Sequence, residues 1–319
     1  MTLRARLYDA RHEDRDVELT RDEVSRVDDR RLLWIDLDDR DQGDLATLAK
    51  TLELEPRIVR QLREDRQQAR LLRFANRFVV TLVALERAND RAVPRELDVV
   101  VGRNIVVTVH DGPLSAISEF TEHIRDEQQL GRLDAGAFMA ALVDSVLTAY
   151  FREIDSIEHD IDALDQVALR SRGGGEFLSS VVALRHRIAD IRRALTPNRE
   201  ALSPIVRPDF QLHDDVVTPW PGTVDRLERA IDAVEKTREL LVGSFDIYLG
   251  RAAQRSNDVM KTLTLVSAIA LPGIVLAGIM GMNFKLPFFE EPSNFWLVIG
   301  SMVTLAFAIL AMARWRRWI

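Results

Sequence analysis

Three places in this sequence hold side chains suited to handling a charged ligand. The tripeptide Gly281-Met282-Asn283 closes a long apolar run, and Glu290 and Glu291 stand side by side in the short stretch before a second apolar run begins. The carboxamide oxygen of Asn283 accepts hydrogen bonds without carrying a charge, although Asn also suits a helix C-cap because it tolerates the left-handed conformation. Adjacent carboxylates such as Glu290 and Glu291 raise the local concentration of cations, or simply solvate a turn. Upstream, Glu153, Asp155, Glu158, Asp160, Asp162 and Asp165 crowd one segment; they make either a solvated face or a cation-concentrating surface. His12, His110, His123, His159, His186 and His213 are scattered without ligand spacing such as His-x-x-x-His, so each reads as an ordinary surface or core residue. The absence of cysteine excludes disulfides, thiolate metal sites and cysteine nucleophiles. No Walker-type loop is present, which argues against direct ATP coupling.

The elements that must position these residues divide the 319-residue chain sharply. Charges recur every few positions as far as Lys261, whereas Leu263 to Phe284 contains none. Leu263 to Met282 is about twenty residues, the length that crosses a hydrocarbon core of about 30 Å. Phe295 to Ala313 is a second run of that kind. Two such neighbours predict a membrane hairpin rather than a pair of core helices. Arg251, Arg255 and Lys261 precede the first span and Arg314, Arg316 and Arg317 follow the second, while the loop sets Lys285 against Glu290 and Glu291. Positive flanks stay on the cytoplasmic side, so both termini are expected inside the cell membrane and the loop outside. Trp296, Trp315 and Trp318 suit the two interfaces. A net charge of −7 argues against nucleic acid as a partner, because phosphate-binding surfaces carry a basic excess. The N-terminal stretch lacks the apolar core of a signal peptide, so the part before the spans is expected to stay in the cytosol.

That part reads as an α+β domain followed by long helices. The β-branched runs at 32–38, 77–85, 97–102 and 104–110 predict strands, with Gly102-Arg103-Asn104 as a hairpin turn. The stretch 41–62 between the first two reads as helical, with Pro56 at a helix start. From 138 to 169 apolar residues keep three- and four-residue spacing; "RGGGE" interrupts it, and a second arm runs on to a stop before Pro197. Thr223 is the expected N-cap of a last helix, with Asp225 and Glu228 in its first turns. A helix from there to about Met282 is roughly 90 Å long. Its cytosolic face cannot be buried alone, so it is expected to pack against copies of itself. The divisions are then 1–135 (α/β domain), 136–205 (helical hairpin), 223–283 (stalk helix continuing into a first span at about 263–282), 284–294 (outer loop), 295–313 (second span) and 314–319 (basic tail).

The segment "SNDVMKTLTLVSAIALPGIVLAGIMGMNF" resembles the membrane entry and first transmembrane helix of CorA-type magnesium transporters, ending in that family's Gly-Met-Asn motif. The likeness continues through "WIDLDDRDQGDLATLAKTLELEPRIVRQL", "ARLLRFANRFVVTLVAL", "VVVGRNIVVTVHDGPL" and the basic "ARWRRWI", and so covers nearly the whole chain. It implies a homopentameric membrane channel with a cytosolic α/β/α funnel, a stalk of five long helices, a pore lined by the first span and an outer ring formed by the second. Departures are Met280, where the family usually has an aromatic, and the loop sequence Lys-Leu-Pro-Phe-Phe-Glu-Glu-Pro. The family's regulatory Mg²⁺ aspartate aligns with Gly222, leaving Asp225 as the nearest carboxylate.

On that resemblance the cargo is Mg²⁺, with Co²⁺ or Ni²⁺ as further substrates and no resident cofactor. Mg²⁺ gives up its waters reluctantly, so five copies of Asn283 would hold the hydrated ion through its water shell, loosely enough for it to leave. Gly281 would let the backbone turn at the mouth. Helical spacing together with the family alignment points Asn257, Met260, Leu263, Leu271, Ile274 and Gly278 toward the axis, where apolar rings gate by dewetting. Pro272 is tolerated within a span because neighbouring helices satisfy the freed carbonyl. The membrane potential would drive entry at about 2.3 kcal/mol per charge per 100 mV. Two other readings stand beside this one: a proton-coupled Zn²⁺ transporter of the same architecture, a branch that tends to vary the Gly-Met-Asn motif, and a non-conducting membrane scaffold or sensor.

Overall fold

The computed structural model describes residues 3–9, 14–28, 30–64, 68–88, 91–126, 134–170, 175–206, 220–282 and 291–316. The chain forms two compact units, Met1–Ser244 and Phe245–Ile319.

The first unit is built on a sheet of seven strands: β1 (Leu3–Asp9), β2 (Arg15–Asp16), β3 (Arg31–Leu37), β4 (Arg70–Arg73), β5 (Phe78–Ala88), β6 (Arg91–Gly102) and β7 (Ile105–His110). Their spatial order is β2-β1-β3-β7-β6-β5-β4, with β3 and β7 parallel and the other neighbours antiparallel. The four expected strands overlap β3, β5, β6 and β7. The strands β1, β2 and β4 were not expected: β2 has two residues and β4 four, although β1 alternates Leu3, Ala5 and Leu7 with Arg4 and Arg6, a readable strand pattern. The β6–β7 turn is closed by Asn104 at φ +53, whose Nδ2 donates to the Asp28 carbonyl at 2.7 Å.

Helices cover both faces of this sheet. Below it, α2 (Gln42–Thr51) and α3 (Pro56–Arg63) press Leu45, Leu48, Ile58 and Leu62 onto Leu33, Ile35, Val79, Val100 and Val107. The two helices are separated at Glu53, which has φ +50, and Pro56 fits the first turn of α3, where no N–H is needed. The short α1 (Arg21–Ser25) is capped by Thr20. On the other face lie α4 (Ser115–Asp126), α5 (Ala135–Arg170) and α6 (Gly175–Leu202). There Phe120 meets Trp34 and Phe138 edge to face, and Trp34 and Phe138 are tilted against each other, with ring centroids 4.8 to 5.9 Å apart.

Two expectations need correction. The second hairpin arm does not stop before Pro197; α6 continues to Leu202 and a 3-10 turn follows at Ser203–Val206. The extra turn is held by buried Asn198, whose Oδ1 accepts from Val83 N at 2.8 Å and whose Nδ2 donates to Val83 O at 2.9 Å. β4 pairs with β5 only as far as Thr81, so this carboxamide stands in for a missing strand. The second correction concerns α7 (Trp220–Met280), which begins before Thr223. Thr223, Leu227, Ala230, Val234, Thr237, Leu241 and Ser244 are all buried within the single chain, a strict heptad. Ion pairs run from α7 to α5 (Arg226 to Asp144, 2.6 Å) and to α6 (Glu228 to Arg199, 2.7 Å; Glu235 to Arg192, 3.0 Å). That face therefore packs on the chain's own hairpin, without copies of itself.

The second unit holds the rest of α7 and α8 (Pro292–Trp315).

Candidate functional site

Both helices of the second unit are long and apolar enough to cross a membrane, with mean hydropathy 2.2 and 2.3 over their most apolar windows and none of those windows buried. Their contact follows from helical spacing. Leu265, Ile269, Pro272, Gly273, Leu276 and Met280 are the half-buried positions of α7 from Leu263 on, and Asn294, Val298, Met302, Ala306 and Ile309 those of α8, with Ala313 buried. Gly273 is the point of close approach: a Cβ there would come within 3.0 Å of the Met302 Cε. A cavity of about 470 Å³ beside it is lined from α7 by Ile269, Pro272 and Ala277 and from α8 by Met302, Val303 and Ala306. Pro272 sits in this packed stretch without ending the helix.

The candidate pore residues lie elsewhere on α7. Asn257, Met260, Leu263, Leu271, Ile274 and Gly278 are all exposed, Leu271 and Ile274 by 65% and 66%. At 3.6 residues per turn their mean direction is about 180° from the stripe that meets α8. Ile274 is at the edge of this face, since it also borders the cavity toward α8. Asn257 has charged neighbours: Gln254 Nε2 donates to Asp258 Oδ1 at 3.1 Å, and Lys261 Nζ is 3.7 Å from the same oxygen. The helix closes at Gly281 N to Ala277 O, 3.0 Å, and Met282 N to Ile279 O, 3.2 Å. A side chain at Gly281 would meet only ordinary contacts within this chain, the nearest at 3.4 Å. Asn283 and Glu290 lie outside the described residues. Glu291 is exposed at the start of α8, its Oε2 3.4 Å from Ser293 Oγ.

In the first unit, Asp225 is exposed near the start of α7 and Gly222 has open space around it. Among the described residues no group of three His, Asp or Glu side chains is arranged to hold a metal ion. The acidic stretch of α5 is less solvated than either sequence reading supposed. Arg187 bonds both Glu153 (2.8 Å) and Asp160 (2.5 Å), and Glu158 accepts from Thr237 at 3.0 Å; Asp155 and Asp162 stay exposed. The engagement of Glu153 and Asp160 had one readable sign, an arginine at 187 in the opposing arm.

Two buried polar clusters had no sequence signature. Arg40 donates to Asp98 (2.8 Å), Glu96 (3.0 Å), Asp111 (3.1 Å) and the Leu62 carbonyl (2.8 Å), clamping the β3 exit to β6 and the β7 exit. Burial pushes the Asp98 carboxyl above its ordinary range even with Arg40 and Thr81 bonded to it. At the ends of the parallel pair β3 and β7, His110 Nδ1 donates to Gly112 O at 2.7 Å and Nε2 faces Asp36 Oδ1 at 3.2 Å. Burial lowers the affinity of His110 for a second proton, but the Asp36 bond, the Asp36 and Asp38 charges and the Gly112 carbonyl outweigh it, so its pKa is raised.

The profile of the family described as CorA-like Mg²⁺ transporter protein matches residues 29–314. The cobalt/magnesium transport protein CorA of Methanocaldococcus jannaschii is 25% identical over 308 residues, 95% of this chain and 96% of that protein. The zinc transport protein ZntB of Pectobacterium atrosepticum is 20% identical over 293 residues, 90% of this chain and 88% of that one. In fold, the complete structure of the CorA magnesium transporter from Methanocaldococcus jannaschii superposes with a TM-score of 0.76 at 22% identity, covering 100% of this chain and 99% of that one. Matched over most of its length, this chain belongs to the CorA family, a family of transporters rather than enzymes.

Proposed function

We infer that this protein carries divalent cations, Mg²⁺ first with Co²⁺ and Ni²⁺ as further cargo, across the cell membrane through a pore that several copies build from α7. The observation that supports this best is the exposed face Asn257–Met260–Leu263–Leu271–Gly278, which runs opposite the α8 contact. A lipid-facing surface has no use for the amide of Asn257 or the bare backbone of Gly278. Five copies, the assembly the family resemblance implies, would close that face around an axis and leave α8 toward lipid. Asn283 at the outer mouth would hold the hydrated ion through its waters. Below it the apolar positions would form a tube that dewets and blocks hydrated ions when narrow. Glu290 and Glu291 would concentrate cations outside. Both termini would be cytoplasmic, and the membrane potential would supply the driving force. Asp225 would be the nearest carboxylate for Mg²⁺ acting as a regulator.

The likeness to a zinc transport protein keeps proton-coupled Zn²⁺ transport as the second reading. Purified protein in liposomes loaded with a magnesium-sensitive dye separates the readings. Mg²⁺ influx that follows an imposed inside-negative potential and ignores a pH gradient is expected. Zn²⁺ influx that needs the pH gradient, with no Mg²⁺ signal, would select the second reading, and no flux of either ion would leave a membrane scaffold.

A further inference from the structure

A groove of about 850 Å³ in the first unit runs between the N-terminal half of β6 and α6. Alternation along β6 puts Arg91, Val93 and Arg95 on one face, opposite to the face on which Val100 joins the α2–α3 core. β7 ends at His110, opposite Leu97, so this half of β6 projects beyond its neighbour. Both arginines are exposed, and His186, exposed on α6, lines the same groove. The carboxylates there are already engaged. Glu96 is turned inward to Arg40, Glu153 takes two bonds from Arg187 at 2.8 and 3.2 Å, and Asp190 pairs with Arg193. Among the described residues, Arg91, Arg95 and His186 have no carboxylate partner. Val93, Ile191 and Ala194 supply an apolar wall beside them.

We propose that this groove binds a small soluble polyphosphate anion of nucleotide size. Guanidinium forks match phosphate oxygens bidentately; Arg91 and Arg95, four residues apart on one strand face with Val93 between them, stand about 13 Å apart at Cα, so their long side chains would converge from the two ends of one polyphosphate. The volume lies within the range of about 300–1,000 Å³ usual for small-molecule sites, and the apolar wall would take the base. Nothing in this assignment depends on the pore, so binding stands or fails separately from transport.

The test is isothermal titration of the full-length protein in detergent, with EDTA present so that no divalent ion contributes. ATP and pyrophosphate are expected to bind, more weakly as salt is raised, and adenosine is expected not to. The double change Arg91→Gln/Arg95→Gln is expected to weaken ATP binding at least about tenfold, the scale of one lost charge-assisted contact. Arg91→Lys/Arg95→Lys is expected to recover part of that loss. Arg152→Gln, at a surface pair with Glu119 that does not line the groove, is expected to bind as the parent does. No ATP binding at millimolar concentration, equal binding of adenosine, or an unaltered affinity in the Gln double variant would each overturn the assignment.

Discussion

Asn283 and Leu263 carry distinct burdens in the transport account, and each can be removed alone. Asn283→Ala deletes the amide that would meet the ion's waters; selective Mg²⁺ flux in liposomes is expected to fall at least about tenfold while the assembled protein elutes unchanged. Flux at the parental level would take Asn283 out of the filter. Leu263→Ser makes one ring of the proposed tube wettable, so basal leak is expected to rise; an unaltered basal rate would remove Leu263 from the gate. His110 gives a pH prediction. Its folded-state pKa is raised by Asp36, Asp38 and the Gly112 carbonyl. The stability it contributes is therefore complete below the ordinary histidine pKa and is lost as pH rises through the raised value. Thermal melts of the full-length protein between about pH 6 and about pH 9 are expected to show that loss, and His110→Gln to flatten it. Identical pH profiles for the two proteins would contradict this assignment. None of this cluster was legible beforehand: His110 and Asp36 are brought together by the parallel pairing of β3 with β7, and no local spacing encodes a pairing across some seventy residues.

Among the elements, the two candidate membrane helices were the most legible, because an uncharged run of this length has few other uses. The heptad of α7 from Thr223 to Ser244 was visible as spacing, yet its partner was not. The same stripe fits a neighbouring copy or the chain's own α5 and α6, and only the ion pairs of Arg226, Glu228 and Glu235 decide it. Pro197 misled for a physical reason: proline removes one helical bond, but the two bonds of Asn198 to Val83 make continuing the helix favourable. Asn198→Ala is accordingly expected to cost about 1–3 kcal/mol by leaving the buried Val83 N–H unpaired, while the Val83 carbonyl keeps the Tyr150 hydroxyl at 2.8 Å, read as a lower denaturation midpoint. A change below about 0.5 kcal/mol would mean that Asn198 does not hold that end. In the membrane unit, Gly273→Ala asks only the mobile end of Met302 to move and is expected to be tolerated. Gly273→Leu would push α7 off α8 and is expected to lower the melting temperature in detergent; equal melting of both variants would deny a close contact there.

For the whole molecule, family membership, fold and two candidate membrane helices stand together, and the step from them to a conduit rests on which face of α7 meets water. The chain has no cysteine, so single cysteines can be introduced one at a time and probed in liposomes with a water-soluble, positively charged thiol reagent while Mg²⁺ flux is followed. If α7 lines a pore, Leu263→Cys, Leu271→Cys and Gly278→Cys will each lose flux on treatment, whereas Ile269→Cys and Leu276→Cys, on the side that meets α8, will keep it. Inhibition that falls equally on both sides of the helix, or on neither, would contradict the proposal that α7 forms the conduit.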